Sequence, residues 1–445
     1  MVVLIKILQV ILALSLLIII HEAGHFTFAK IFGIRVDKFF LFFDAGGFKL
    51  FSTKGKLFTR LFPKAAQWET EYGIGWLPLG GYCKISGMID ESMDLEGMKG
   101  APREYEFRSH PAWHRLLVMA GGVLYNFIFA ILAFILLVWG WGTAYISNAD
   151  SCIYASELAR EMGFRTGDRI LAFDDYVPED FSLLQADLAR RNVRKVTVLR
   201  GADTLDIYID QSMIGAVLQS PGMFDLAIPF TVDSLMTDSP NADGLLQHGD
   251  RIIALGGEPV EYLQDAREML LSYAGTTVDA RVLRGADTLS VPLQVDSAGR
   301  IGVYMVMPEV VRRDYSFLQA IPAGAKMTWE SVAGYVRDLR LVFTPQTRAY
   351  KSVGSFIAIG QVFPSSWNTY QFLYLLAILS IMLGVMNLLP IPALDGGHIV
   401  ICLYEMLTGR KPGERFLVVT QVLGMILLLA LMVLAFGNDI GRLIH

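Results

Sequence analysis

Four stretches of this chain are apolar over the length of a membrane. Val2 to Ile20 is interrupted only by Lys6 and a few polar residues, and the pattern returns at Leu116 to Trp141, at Phe372 to about Leu389, and at Phe416 to Phe436. Each approaches the ~20 residues that cross a hydrocarbon core, so each predicts a transmembrane helix. A shorter apolar run, Ile399 to Leu407, cannot cross alone. A cleaved leader is the competing reading of the first run. It would carry a more basic start, a shorter apolar stretch and a small-x-small site. Lys6, near its start, is the one basic residue it offers, and His21-Glu22 follows the run directly.

Charge orients the four spans. Residues 33–113 hold eleven Lys and Arg, the connection between spans three and four holds Arg410, Lys411 and Arg415, and the two ends hold almost none. The positive-inside rule then places both connections in the cytoplasm and both termini outside. The long segment from about 142 to 370 falls on the outer side.

That segment has an ordinary soluble composition and repeats itself. Val198-Leu-Arg-Gly-Ala-Asp-Thr-Leu205 recurs letter for letter as Val282-Leu-Arg-Gly-Ala-Asp-Thr-Leu289, and Gly167-Asp-Arg-Ile170 recurs as Gly249-Asp-Arg-Ile252. Two strings in one order predict a duplicated unit of mixed α/β structure. Each Arg-Gly-Ala-Asp sits between β-rich runs and reads as a hairpin turn. The strings at 163–172 and 244–257 resemble the PDZ signature, a module that binds peptides by adding a strand to a sheet edge.

Composition narrows the class. Hydrophobic residues make up 53% and charged residues 18%, against about 25% charge in soluble domains. Disorder, collagen and coiled coil are excluded. The net charge of −5 and the absence of a basic run argue against nucleic acid as a partner. Cys83, Cys152 and Cys402 lie far apart, with neither metal spacing nor a disulfide framework.

The candidate chemistry ends the first span. His21-Glu22-Ala-Gly-His25 is H-E-x-x-H. On a helix, residues i and i+4 share a face, so both imidazoles reach one ion, with Glu22 one step round to take a proton from water. Ionisable groups at membrane depth cost roughly 2.5–3.5 kcal/mol each, which makes a purely structural role for all three improbable. A catalytic zinc needs a third protein ligand. His110, His114, His248, His398 and His445 form no second such motif. The third span ends Asn387-Leu-Leu-Pro-Ile-Pro-Ala-Leu-Asp395-Gly-Gly-His398, where Pro390 and Pro392 break the helix. Asp395 on that break has two readings: a ligand facing the histidines, or the N-cap of a helix beginning at Gly396.

Together these residues resemble the site-2 protease family of intramembrane zinc proteases. The resemblance covers nearly the whole chain: H-E-x-x-H in the first span, N-x-x-P-x-P-x-L-D-G in the third, and two PDZ-like units between the second and third. It implies Zn2+ as cofactor, His21, His25 and Asp395 as its ligands, Glu22 as the base, and Asn387 as a holder of substrate backbone. Gly73 to Tyr82 resembles the family's membrane-associated β-hairpin, which implies substrate contacts at Gly75, Gly80 and Gly81. Ala120 to Phe127 resembles the family's G-P-x-x-N-F, with Gly122 read at the Pro. Asn126 is then a substrate contact or an interhelical hydrogen bond. Ser355 stands where that family's post-PDZ linker usually has Pro.

The expected fold is a multi-pass α-helical membrane protein with four transmembrane helices, a membrane-associated β-hairpin and two mixed α/β PDZ-like domains. The boundaries expected are a first span over 1–32, a cytoplasmic loop with the hairpin over 33–113, a second span over 114–141, and PDZ-like units over 142–222 and 223–308. A linker over 309–370, a third span with the Asp-Gly motif over 371–396, a cytoplasmic connection over 397–413, a fourth span over 414–437 and an outer tail over 438–445 complete the chain. Expected partners are the lipid bilayer, single-pass membrane proteins as substrates, and peptides or substrate outer domains at the PDZ-like units. The expected location is the bacterial cytoplasmic membrane. The competing function is a non-enzymatic PDZ scaffold or zinc carrier, which leaves Glu22 without a role.

Overall fold

A computed structural model describes residues 2–88, 102–220, 222–242, 245–344 and 354–444. Position 244, which opens the second PDZ-like string, residues 345–353 of the expected linker, and His445 lie outside these. The chain divides into two units, one holding Met1–Gly142, Asp314–Val342 and Tyr350–His445, the other Thr143–Arg313 with Phe343–Ala349.

Among the described residues of the first unit, four helices are long and apolar enough to cross a membrane: Val2–Ile31, Ala112–Trp141, Thr369–Leu388 and the stretch Arg415–Gly441. The first runs well past its apolar run, because hydropathy marks where lipid ends and not where backbone hydrogen bonding ends. It crosses the second helix at glycines. A Cβ on Gly24 would lie 2.1 Å from the Gly121 carbonyl oxygen, and one on Gly121 would lie 2.7 Å from that of Gly24. Small residues permit such approach between apolar helices. The third helix packs Ala377, Ile381 and Val385 against Ala130, Ala133, Phe134 and Leu137 of the second.

Between the third and fourth apolar helices stands a separate helix, Asp395–Thr408, so the Asp-Gly motif opens this helix and does not end the third span. The region expected as a linker contains a 26-residue helix, Phe317–Val342, whose Gly324 meets Ile135 of the second apolar helix. The fourth apolar helix is largely exposed, with two anchors. Gly424 abuts the backbone at Pro392 and Ala393. Asp439 accepts from Ser355 N at 2.8 Å, Ser355 Oγ at 2.5 Å and Ala358 N at 3.2 Å. A proline at 355 would supply neither of the serine's two donors.

Beside the first helix lies a sheet of β1 (Val36–Phe43), β2 (Lys49–Ser52), β3 (Glu71–Gly75) and β4 (Leu77–Ile85). The order is β2-β3-β1-β4. The expected hairpin over Gly73 to Tyr82 is therefore not one. β3 runs parallel to β1 and β4 antiparallel to it, so β1 lies between them. The chain crosses the end of β1 at Gly75, where a Cβ would sit 2.2 Å from the Phe43 carbonyl oxygen. β4 forms the edge, and Gly81 on it meets Ile18 of the first helix.

The second unit is closed at its stem by antiparallel strands Thr143–Ile146 and Val310–Arg313. It holds two cores. One is built on the sheet Arg169–Phe173, Lys195–Arg200 and Asp203–Tyr208, with Ile170, Val196 and Val198 buried against Leu184 and Leu188 of a helix. The other is built on Arg251–Leu255, Thr277–Arg284 and Asp287–Gln294, with Ile252, Val278 and Val282 against Ala266 and Leu270. The identical octapeptides fold identically. Each makes a hairpin closed at Arg200↔Asp203 or Arg284↔Asp287, with Gly201 and Gly285 at φ 61° and 62°. A positive φ at the first central residue is what such tight loops require, and glycine adopts it without strain.

The two repeated strings prove to be the ends of one ion pair. Arg200 donates through Nε and Nη2 to both oxygens of Asp168 at 2.7 Å, and Arg284 does the same to Asp250 at 2.7 Å. Both carboxylates are fully buried. A buried carboxylate needs such a bidentate partner. The Arg284 guanidinium holds the Asp250 carboxyl below the usual carboxylate range.

Candidate metal centre and active site

The site is built where the first helix meets the second and the broken third. His21 and His25 face the second helix with little exposed surface. Gly122 makes that possible: a Cβ there would lie 2.6 Å from His25 Nε2 and 2.7 Å from His21 Cε1. Counting back from Asn126 puts Val123, and not Gly122, at the Pro of G-P-x-x-N-F. Gly122 takes that pattern's Gly.

Asp395 arrives from the other side. After Leu388 the chain turns through Leu389 to Leu394, held by Ile391 N to Leu389 O at 2.7 Å and Leu394 N to Ile391 O at 2.9 Å. The return is so tight that Cβ atoms on Gly396 and Gly397 would lie 2.2 Å from Leu389 O and 2.5 Å from Ile391 O. The helix N-cap is Leu394, Asp395 is the first helical residue, and no side chain caps this end. The N-cap reading of Asp395 is thereby removed. Its Oδ2 points at the histidines, 3.1 Å from His21 Nε2 and 3.4 Å from His25 Nε2. The two Nε2 atoms are 3.2 Å apart.

These residues fit a zinc ion. With zinc-ligand distances of ~2.0–2.1 Å, tetrahedral geometry separates ligand atoms by about 3.3 Å, and the three separations here are 3.1, 3.2 and 3.4 Å. Asp395 Oδ2 is buried yet accepts no hydrogen bond. Two imidazoles and a carboxylate also leave the fourth position for water, the donor set of a catalytic site. Among the described residues no other three His, Cys, Asp or Glu side chains converge in this way. His110 and His114 do share i, i+4 spacing, with Nδ1 atoms 3.4 Å apart, but no carboxylate joins them.

Around the cluster, Glu22 is partly buried and accepts from the Cys83 backbone N–H, so β4 abuts the H-E-x-x-H turn. Asn387 Nδ2 lies 3.3 Å from His21 Nε2. Asn126 has no exposed surface and its amide lies 3.0 Å from His21 Nδ1, which removes it from the reach of a substrate. Gly75 and Gly80 are taken up by Phe43 within the sheet, and Gly81 by Ile18. Gly24, Gly121 and Gly122 fall inside quoted motifs, but sequence reasoning missed their packing role, the close approach of the first two helices around the histidines. It also missed Val118, whose carbonyl meets His25 Nδ1 at 2.9 Å and which no side-chain pattern could reveal.

The sequence model of peptidase family M50 matches residues 9–431. The chain belongs to peptidase family M50, the site-2 protease family. It is 28% identical over 464 residues to the Regulator of sigma E protease of Salmonella typhi, covering 97% of this chain and 98% of that one. The Regulator of sigma-E protease RseP of Escherichia coli (strain K12) gives the same identity and coverage, 28%, 97% and 98%. A Ralstonia nicotianae relative named as a zinc metalloprotease is 26% identical over 475 residues, 98% of each chain. The M50 chain described here is a metalloprotease with zinc as its cofactor.

Proposed function

We propose that this M50 chain is an endopeptidase of the bacterial cytoplasmic membrane. Its substrates are single-span membrane proteins, cut within the spanning segment after their outer domain has been trimmed. The observation that carries this is the convergence of His21, His25 and Asp395 on helices and a helix break that belong to an apolar bundle. His21, His25 and Asp395 would hold a zinc ion, which would supply a Lewis acid and make water ready to lose a proton near neutral pH. Glu22 takes that proton and returns it to the leaving amine. Asn387, beside the cluster, is placed to donate to a carbonyl of the bound chain. A spanning helix hides its peptide bonds in i to i−4 hydrogen bonds, so it must unwind locally. β4 is an edge strand beside the cluster, and adding a strand there would give an extended stretch replacement partners. Relatives named as regulators of sigma E support anti-sigma-factor-like proteins as one substrate class, and signal-peptide remnants are proposed as a second. A purified sample incubated with a single-span model substrate should yield products whose new ends, read by mass spectrometry, lie inside the spanning segment. Ends confined to the flanking soluble parts would reject the intramembrane reading.

The sheet beside the first helix fits a place at the membrane interface. Phe48, Leu50, Leu57 and Leu61 are 76, 72, 78 and 68% exposed, and residues 45–68 carry Lys49, Lys54, Lys56, Arg60 and Lys64 without one acid. Apolar side chains interleaved with cations suit an anionic headgroup layer. That layer is cytoplasmic if the basic connections are cytoplasmic, and both termini and residues 143–313 are then outside. In intact cells an impermeant maleimide should label Cys152 and spare a cysteine introduced by Lys54→Cys. The reverse pattern would overturn the orientation.

The two halves of the second unit are proposed as PDZ modules that take up peptides or hold back substrates with bulky outer domains. They contribute nothing to the metal cluster. Because strands Thr143–Ile146 and Val310–Arg313 pair, deleting 148–308 leaves a short stem. Such a variant should keep its zinc and cut untrimmed as well as trimmed substrate. A variant that holds zinc and still cuts only trimmed substrate would reject the gating role.

A further inference from the structure

The two histidines of the cluster are held by different devices. His25 Nδ1 lies 2.9 Å from the Val118 carbonyl oxygen. A carbonyl only accepts, so Nδ1 carries the ring hydrogen and Nε2 keeps its lone pair for a metal. His21 offers Nε2 to the same cluster, so its Nδ1 must also carry the hydrogen and needs an acceptor. Its partner there is the amide of Asn126, 3.0 Å away and with no exposed surface. That amide turns Nδ2 to the ring, while Asn387 Nδ2 lies 3.3 Å from Nε2. Two amide N–H groups cannot both donate to one neutral imidazole, which has a single free lone pair. One amide must turn. Asn126 Oδ1 is buried without a hydrogen-bond partner, so turning the Asn126 amide over gives up no bond at that oxygen. It gains one between Nδ1–H and Oδ1.

We propose that Asn126 is the positioning residue of His21. Its carboxamide oxygen accepts from Nδ1–H and fixes the tautomer that leaves Nε2 free for zinc. The inference rests on the zinc site argued above. It assigns the second helix a part in metal affinity and takes Asn126 out of substrate recognition. The helix is well placed for this. Ser380 Oγ of the third apolar helix donates to the Asn126 backbone oxygen at 2.9 Å, which fixes the backbone from which the amide projects.

The test is zinc affinity, measured by chelator competition on the full chain in a Glu22→Gln background, where no cleavage contributes. Outer-shell partners of metal-ligating histidines are worth about 10–100-fold in metal affinity. Asn126→Ala should weaken zinc by that factor. Asn126→Asp, which presents an acceptor in either rotation, should stay near the parent. Asn126→Ala binding as tightly as the parent, or a folded Asn126→Asp as weak as Asn126→Ala, would overturn the role. A parent that binds no zinc would instead remove the zinc site itself, and this inference with it.

Discussion

Glu22→Gln should lose cleavage of a single-span substrate by at least 10²–10⁴-fold, the usual contribution of a positioned general base. It should also bind zinc as the unaltered chain does. The substitution keeps the side chain's length and its hydrogen bond from the Cys83 backbone N–H, but it removes the capacity to take a proton. The three groups that converge for metal, His21, His25 and Asp395, are untouched. Cleavage retained in this variant would mean that another group takes the proton, whereas an unaltered chain that holds zinc and never cleaves would return it to the scaffold or zinc-carrier reading, in which Glu22 has no task. Zinc lost together with cleavage would mean that Glu22 belongs to the ligand set.

Asp395→Asn should abolish cleavage and sharply lower zinc occupancy while insertion and folding stay close to normal. Asp395→Ser should behave alike. An N-cap tolerates Asn and Ser about as well as Asp, within roughly 1 kcal/mol, so a capping residue would survive both changes. Here the cap is Leu394, and Asp395 Oδ2 sits 3.1 and 3.4 Å from the two histidine Nε2 atoms. A neutral amide is a poor zinc ligand and removes the negative charge that offsets the ion in a low-dielectric site. Bound zinc at the normal level in both variants would leave the site in need of another third ligand.

The chemistry was legible in the sequence because it is local. His21, Glu22 and His25 announce themselves by helical spacing, and Asp395 by the prolines and glycines of the break that carries it. Its rotamer was not legible. Capping and ligation ask for the same residue, and only the backbone at Leu394 separates them. The sheet was misjudged for a related reason. β3 and β4 are one residue apart and read as a hairpin, but Gly75 lets the chain step over Phe43, and β1 from thirty residues upstream slips between them. Long-range pairing of that kind leaves no periodic trace. The helix Phe317–Val342 leaves no span-like signal, because its apolar residues form only one stripe. Asn126 has two readings in the sequence, a substrate contact or an interhelical hydrogen bond, and the structure gives it the second. Its partner, His21, lies 105 residues away and can be found only in three dimensions.

The central claim is that one zinc ion, held by this chain within an apolar bundle, cuts a spanning peptide. The most direct measurement takes the purified full chain in detergent, counts bound zinc, and follows cleavage of a single-span substrate through removal of the metal and its return. One zinc per chain is expected, with cleavage that disappears when the metal is stripped and recovers when zinc is restored. Cleavage that persists undiminished in the stripped chain, or a full zinc complement that never cuts such a substrate, would contradict it.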